Sequence, residues 1–403
     1  MSFLIPLLAT SFLLTGPAPT LGATYSLIES HAGSSFFDGW IYETGYDNTT
    51  NGDTTWSSSP SLAYVNSDNQ AIIKVDNTST VPYNEKRDSV KLLSQNWYKA
   101  GTVFIMDAVH VPVGCSVWPA WWTRGPNWPA GGEIDIFEPV NLQTTNQFAL
   151  HTTEGCTATP DASLNPTGTV GTTNCDQDAN YGSGCTVIGG DAGTVFNQNG
   201  GGVYIMAFET TGITIWYHRR SDIPTFLSST ASSIDTSALG TPVASYSSSS
   251  CDISKFFASQ QMTLDITMCG DYAGTASVLE ATCGALVGDQ TCYSEYRYSF
   301  VTRSIRGLTS MFTCWNSYLR TQLDRLQRCL RETDSHPPIS YESTDSKPLL
   351  PNYSSRSTIS TFTAATTRST RSSAVPARRP PPPPLQLRVR QAREWVQRLR
   401  QLG

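Results

Sequence analysis

Residues 132–140 read GEIDIFEPV, and this stretch decides the fold because acidic and branched apolar side chains alternate with the two-residue period of a β-strand. Glu133 and Asp135 share one face, and Ile134 points to the other. Strict alternation would turn Glu138 to the apolar side. A β-bulge at Ile136–Phe137 supplies one extra residue and returns Glu138 to the face of the other two acids. Three carboxylates on one face repel one another, and a purely structural strand has no reason to carry that cost. The plain alternatives are a solvated acidic edge or a Ca²⁺ ligand set.

Working outward, the chain from Thr24 to about Met268 has the texture of an all-β protein. Runs such as QAIIKVDN (70–77), GTVFIMDAVHV (101–111), GGVYIMAFET (201–210), GITIWYHR (212–219) and QMTLDITMCG (261–270) alternate with Gly, Asn, Asp and Ser clusters. No long stretch here has helical periodicity, so a sandwich of many antiparallel strands is the expected architecture. The 156–200 loop is long, and Cys156, Cys175 and Cys185 are available to tie it down.

The chemistry that wants paired carboxylates is retaining glycoside hydrolysis. One carboxylate attacks the anomeric carbon, and the other protonates the leaving oxygen and later takes a proton from water. The two stand about 5–5.5 Å apart. Positions four apart on a strand are separated by roughly 13 Å of backbone. Both Glu side chains must therefore lean inward on a concave surface, with Asp135 between them to keep their proton affinities apart.

Four tryptophans (Trp118, Trp121, Trp122 and Trp128) precede the acids in VWPAWWTRGPNWPAGG. Aromatic faces make apolar platforms for sugar rings. Core packing is the alternative use, and at least one of the four is expected to serve it.

Residues 1–23 have the short apolar run and small-residue ending of a secretory signal, so a secreted, extracellular or cell-wall protein is expected. No later segment is apolar enough to span a bilayer. Eight cysteines lie between Cys115 and Cys292 without a C-x-x-C pair, which favours disulfides over zinc. Only Cys283 and Cys292 suggest a specific pairing. Asn48 and Asn77 head potential glycosylation triplets. No cofactor is expected, and no Ca²⁺ ligand set is assignable.

Charge divides the chain: residues 1–296 carry 9 Lys and Arg against 27 Asp and Glu, whereas residues 297–403 carry 18 against 6. The expected domain is therefore 24–296. The 297–403 segment reads as a basic, Ser/Pro-rich tail, either disordered or translated from a mis-assembled gene model. Within it, 297–332 has helical spacing and 385–402 reads as a basic amphipathic helix; the functional alternative is a tail that binds wall, membrane or partner.

Taken together, WPAWW, GPNWPAGGEIDIFEPVN, LHTT, ITIWYHRRSDIP, RDSVKL and MCGDYAG resemble glycoside hydrolase family 16, especially the fungal endo-1,3(4)-β-glucanases of laminarinase type. The resemblance covers about residues 24–293. It implies a jelly roll of two curved antiparallel sheets with an open cleft, Glu133 as nucleophile, Glu138 as general acid/base and Asp135 as assisting acid. His151 matches a residue near the acid/base. The tryptophans match a glucose-binding wall, with Trp216 and Arg87 as further substrate-binding positions. The bulged spacing before Glu138 is the laminarinase version, which points to β-1,3 or mixed β-1,3/1,4 linkages. Two departures stand out. Pro139 follows the second Glu where a small residue is usual. No closing strand of the family type Y-W/F-E-I/V-N-Y-V follows Tyr293, so the neighbouring strand is expected to have an unpaired edge.

The reading is a monomeric retaining endo-β-glucanase acting on β-glucan polysaccharide. A cell-wall transglycosylase and a non-catalytic β-glucan-binding protein are the alternatives, and possession of both Glu133 and Glu138 argues against the latter. Nucleic-acid binding has little support, because the basic residues fall in a low-complexity tail and not on a folded face with aromatics.

Overall fold

The computed structural model describes residues 23–82, 85–227, 231–286, 288, 291–293, 311–312 and 357–364. The expected signal segment up to residue 22 and the helical readings at 297–332 (311–312 apart) and 385–402 lie outside them. Two antiparallel sheets make up the sandwich, and a third, small sheet of Gly45–Tyr46, Thr54–Trp56 and Arg87–Ser89, its last two strands parallel, accompanies them. The acid-bearing sheet has eight strands in the spatial order Thr169–Val170, Cys185–Asp191, Thr145–His151, Glu133–Phe137, Val117–Arg124, Gln260–Met268, Lys91–Tyr98 and Trp40–Tyr42. The backing sheet runs Ser233–Asp235, Thr24–His31, Ser357–Ala364, Thr102–Ala108, Gly202–Glu209, Gly212–Arg219 and Ala244–Ser247, with three short strands off this path.

Alternation explains how the sheets close on each other. From the acid-bearing sheet, Trp121, Ile134, Phe148, Leu150, Leu264 and Ile266 enter one core with Phe104, Met106, Tyr204, Met206 and Phe208 of the backing sheet. Phe137 meets Tyr204 edge-on across the layers, with ring centroids 5.3 Å apart. The backing sheet is apolar on its other face as well. There Val103, Ile105, Val203, Ile205 and Trp216 join Tyr25, Ile234 and Leu239 in a second cluster.

Two of the expected sugar-binding tryptophans are thereby corrected. Trp121 is fully buried between the sheets, on the face of its strand opposite the acids. Trp216 belongs to the second cluster of the backing sheet, where its indole N–H donates to the Gly240 carbonyl at 3.0 Å. Trp121→Ala should cost about 3–5 kcal/mol of stability by opening a large cavity. Denaturant unfolding of the purified variant measures it.

The unpaired edge is also corrected. Ser357–Ala364 pairs with Thr24–His31 on one side, from Tyr25↔Ala364 to His31↔Ile359. On the other side it pairs with Thr102–Ala108, from Ser357↔Ala108 to Thr363↔Thr102. The sheet thus continues past the boundary expected at residue 296. This segment, STISTFTA, has β-branched residues suited to a strand, but a Ser/Thr-rich setting hides it in the sequence.

Four disulfides pin the loops: Cys115–Cys283, Cys156–Cys251, Cys175–Cys185 and Cys269–Cys292. The Cys283–Cys292 pairing suggested by nearness in sequence is not formed. Cys283 ends the short helix Ala276–Cys283 and reaches back to Cys115, which leaves Cys292 to Cys269. The 156–200 stretch, expected as a long loop, instead carries the strands Thr169–Val170 and Cys185–Asp191 and the short helix Gly193–Gln198, and it is tied through all three of its cysteines.

Candidate active site

The acidic strand carries the bulge that its spacing requires. Against the neighbouring tryptophan strand, Val117–Arg124, Asp135 pairs with Trp122 and Phe137 with Trp121, which leaves Ile136 as the extra residue. Ile136 and Phe137 are both fully buried in the core. Two successive residues therefore face inward, and Glu138 emerges on the side of Glu133 and Asp135. On the opposite flank the ladder to Thr145–His151 has the pairs Glu133↔His151, Ile134↔Leu150 and Asp135↔Ala149.

Each of the two glutamates is held by an indole N–H. Trp118 donates to Glu138 Oε1 at 2.9 Å and packs edge-on against Tyr272, with centroids 5.6 Å apart. Trp128 donates to Glu133 Oε2 and leaves nearly half its surface exposed, 47%. Trp128 stands on a tight hairpin closed by the Gly125 N–H on the Gly132 carbonyl at 2.7 Å. A side chain at Gly125 would come within 2.0 Å of the Gly131 carbonyl oxygen, so the two chains can approach this closely only without one. Trp122 donates to Asp265 Oδ1 at 2.7 Å, and Lys91 Nζ lies 5.2 Å from its ring centroid. The tryptophans thus act as hydrogen-bond donors to acids as well as apolar surface.

His151 links the acids to the disulfide-closed loop beside them. Its Nε2 is 3.1 Å from Asp135 Oδ2, and its Nδ1 is 2.5 Å from Gln177 Oε1. Both ring nitrogens face side-chain oxygens, an arrangement that suits the doubly protonated imidazole. Burial alone would discharge it, but the hydrogen bond and charge of Asp135, joined by Glu133 and Glu138, carry its pKa up to about 10.

The two glutamates are displaced the other way. Burial first, then the Asp135 charge, raises Glu133 to about 8, against the pull of His151 and the Trp128 N–H. Glu138 is pushed well above the usual carboxylate range by burial and by Asp135, opposed by His151 and the Trp118 N–H. Both glutamates therefore hold a proton more tightly than a free carboxyl, and Glu133 stands directly across the ladder from His151, whose charge opposes the shift.

Trp128→Phe removes a donor that lowers the Glu133 pKa. If Glu133 acts ionised, as the family resemblance implies, the acidic limb of the kcat/KM profile should move to higher pH while the platform ring remains. A pH series on a soluble β-glucan checks this.

Ligand atoms of Glu133, Asp135 and His151 lie within 4.8 Å of one another, close enough to be spanned by a cation. The set does not fit one: a doubly protonated imidazole has no free lone pair, and a metal would have to break its pairing with Asp135.

Arg87 is corrected as a substrate ligand. It is buried, and its Nη1 donates to the backbone carbonyls of Asp76 and Ser79 at 2.9 and 3.0 Å, so it holds that turn. The arrangement also brings in residues that the sequence did not mark out. Buried Asp265 pairs in register with Ala120 of the tryptophan strand and with Lys91, and burial raises its pKa to about 6. Its alternation with Leu264 and Ile266 in QMTLDITMCG was the available signal. Gln177, Tyr272 and Asn146 had none, because their roles depend on contacts distant in sequence.

An antiparallel two-sheet sandwich with three acids gathered around a bulged strand defines a glycoside-hydrolase domain. The chain belongs to glycoside hydrolase family 16: the model for XgeA-like catalytic GH16 domains matches residues 40–300. A probable glycosidase of Schizosaccharomyces pombe is 36% identical over 293 residues, covering 71% of this chain and 68% of that protein. A probable endo-1,3(4)-β-glucanase of Aspergillus fumigatus is 40% identical over 269 residues, 64% of this chain but only 40% of the relative's length. Among solved structures, laminarinase 16A of Phanerochaete chrysosporium, holding β-glucans in donor and acceptor sites, superposes with a TM-score of 0.64 at 30% identity. The match covers 70% of this chain and 96% of that one. An elongating family 16 β-1,3-glucosyltransferase gives 0.61 at 33% identity, covering 70% and 94%. These likenesses support the jelly-roll fold.

Proposed function

We propose that this chain is a secreted, retaining endo-β-glucanase that cleaves β-1,3 or mixed β-1,3/1,4-glucans. Residues 24–296 form its catalytic unit, and the 357–364 strand completes the backing sheet. One observation carries the reading: the bulge at Ile136 puts Glu138 on the face of Glu133 and Asp135, where each glutamate receives its own indole N–H. Glu133 attacks the anomeric carbon and forms an α-linked glycosyl ester as Glu138 protonates the departing oxygen. Glu138, now ionised, then draws a proton from water, which releases the sugar with its original configuration. Asp135, paired with His151, sets the charge around both. Trp122 and Trp128 provide the apolar wall for the sugar rings, while Trp118, buried with Val140 and Ala273, holds the Glu138 carboxyl. Four disulfides accord with export to an oxidising compartment, and among the described residues no helix is long and apolar enough to cross a membrane.

The likeness to an elongating glucosyltransferase gives a second reading, in which a sugar hydroxyl replaces water in the second step. Incubation with laminarin and with a mixed-linkage glucan, followed by product sizing, tests both. Shorter oligosaccharides alone support hydrolysis, products longer than the added acceptor support transfer, and an unchanged polymer rejects both.

A further inference from the structure

Asn146 is an unusual residue for its place. It lies on the Thr145–His151 strand between exposed Thr145 and partly exposed Gln147, and alternates with Phe148 and Leu150, so it faces the core and is fully buried. A buried carboxamide is tolerated only when both its ends are bonded. Here both are, and to the backbone of one short segment. Asn146 Nδ2 donates to the Ile136 carbonyl at 2.9 Å, and Asn146 Oδ1 accepts the Glu138 N–H at 2.8 Å. These two groups flank Phe137, at the point where the bulge has thrown the acidic strand out of register. The strand ladder to the histidine strand has its last pair at Asp135↔Ala149, and the amide supplies the rung that the bulge removes. On its other side, the pairing of Thr145–His151 with Cys185–Asp191 also shifts register between Thr145 and Gln147, so the ladder is irregular on both flanks of Asn146.

We infer that Asn146 is a positioning residue for the acid/base, fixing the backbone of Glu138 so that its carboxyl meets the departing glycosidic oxygen. The inference rests on the assignment of Glu138 as proton donor. Glu138 lies one residue beyond the end of its strand and is followed by Pro139, which has no N–H with which to anchor the chain. Trp118 steadies the carboxyl, and among the described residues Asn146 holds both backbone groups on either side of Phe137. Glu133 and Asp135 sit in the regular ladder and do not depend on it.

Leaving groups separate positioning from general structural support. A dinitrophenyl β-laminaribioside needs no proton to depart, whereas an internal glucan linkage does. Asn146→Ala should lower kcat/KM on laminarin by about 100-fold, within the range that general acid catalysis contributes, and by less than about 3-fold on the aryl glycoside. Asn146→Asp provides the rescue. At pH 5 its buried carboxyl, when protonated, reproduces the donor and the acceptor, so the ratio of laminarin to aryl activity should stay near wild type and then fall as pH rises and the carboxyl ionises. Equal losses on both substrates in folded Asn146→Ala, or no loss on either, would overturn the inference. If that variant does not fold, an Asn146→Asp ratio whose pH dependence matches that of the wild type would overturn it instead. A wild type that cleaves neither substrate would refute the β-glucanase reading itself.

Discussion

Glu133→Gln is expected to lower kcat on laminarin by a factor on the order of 10⁴ or more, with KM changed little and the fold intact. The amide matches the carboxylate in shape and can still accept the Trp128 N–H that now reaches Oε2. It cannot form the glycosyl ester, so neither half of the reaction begins. The substitution also takes one potential negative charge from a cluster where Asp135, Glu133 and Glu138 crowd His151. Thermal stability should therefore hold or rise slightly. Steady-state rates on laminarin, read beside a melting curve, measure both effects. A variant that keeps even one-tenth of wild-type activity would remove Glu133 from the nucleophile's role.

Glu138→Ala is expected to give a different pattern, and the difference identifies its role. On laminarin the loss should be about 10²–10⁴-fold, since the leaving oxygen departs unprotonated. On a dinitrophenyl glycoside kcat/KM should remain within a few-fold of wild type, while kcat falls because no base activates water in the second step. Azide needs no such base. Added azide should restore kcat on the aryl substrate and yield a β-glycosyl azide, detectable by mass spectrometry and proton NMR. Failure of azide to accelerate turnover, together with equal losses on both substrates, would contradict the acid/base assignment. In the wild type, burial and Asp135 hold the Glu138 carboxyl protonated well above the ordinary carboxylate range, so the acidic form persists as pH rises. Activity limited by that proton is retained at neutral pH and is lost only as pH rises through the elevated value.

The parts of the site legible in the sequence are those governed by local spacing. Alternation placed Glu133 and Asp135 on one face, and the need to bring Glu138 to that face required a bulge at the position where Ile136 forms it. The sandwich followed from period-two strands such as Thr102–Ala108 and Gly202–Glu209. Spacing could not separate the tryptophans. Trp121 and Trp122 are adjacent, so one must face the core while its neighbour faces the acids, and only the register against Gln260–Met268 and the acidic strand determines which. Trp216 was misplaced because an aromatic residue in a strand looks the same on either sheet. Arg87 was misplaced because a buried guanidinium bonded to backbone carbonyls leaves no trace in the sequence. The strand Ser357–Ala364 was hidden by its distance from the domain and by its Ser/Thr-rich surroundings. Asn146 and Gln177 act through bonds to residues 8 and 26 positions away, which no motif of adjacent residues records.

The most direct test of the account is to trap the covalent intermediate. The full-length protein is treated with a 2-deoxy-2-fluoro laminaribiosyl donor carrying a dinitrophenyl leaving group, digested, and mapped by tandem mass spectrometry. The account predicts one added disaccharide, esterified to Glu133 within the peptide that contains GEIDIFEPV. A label on Glu138 or Asp135, or an active enzyme that accumulates no ester, would contradict it.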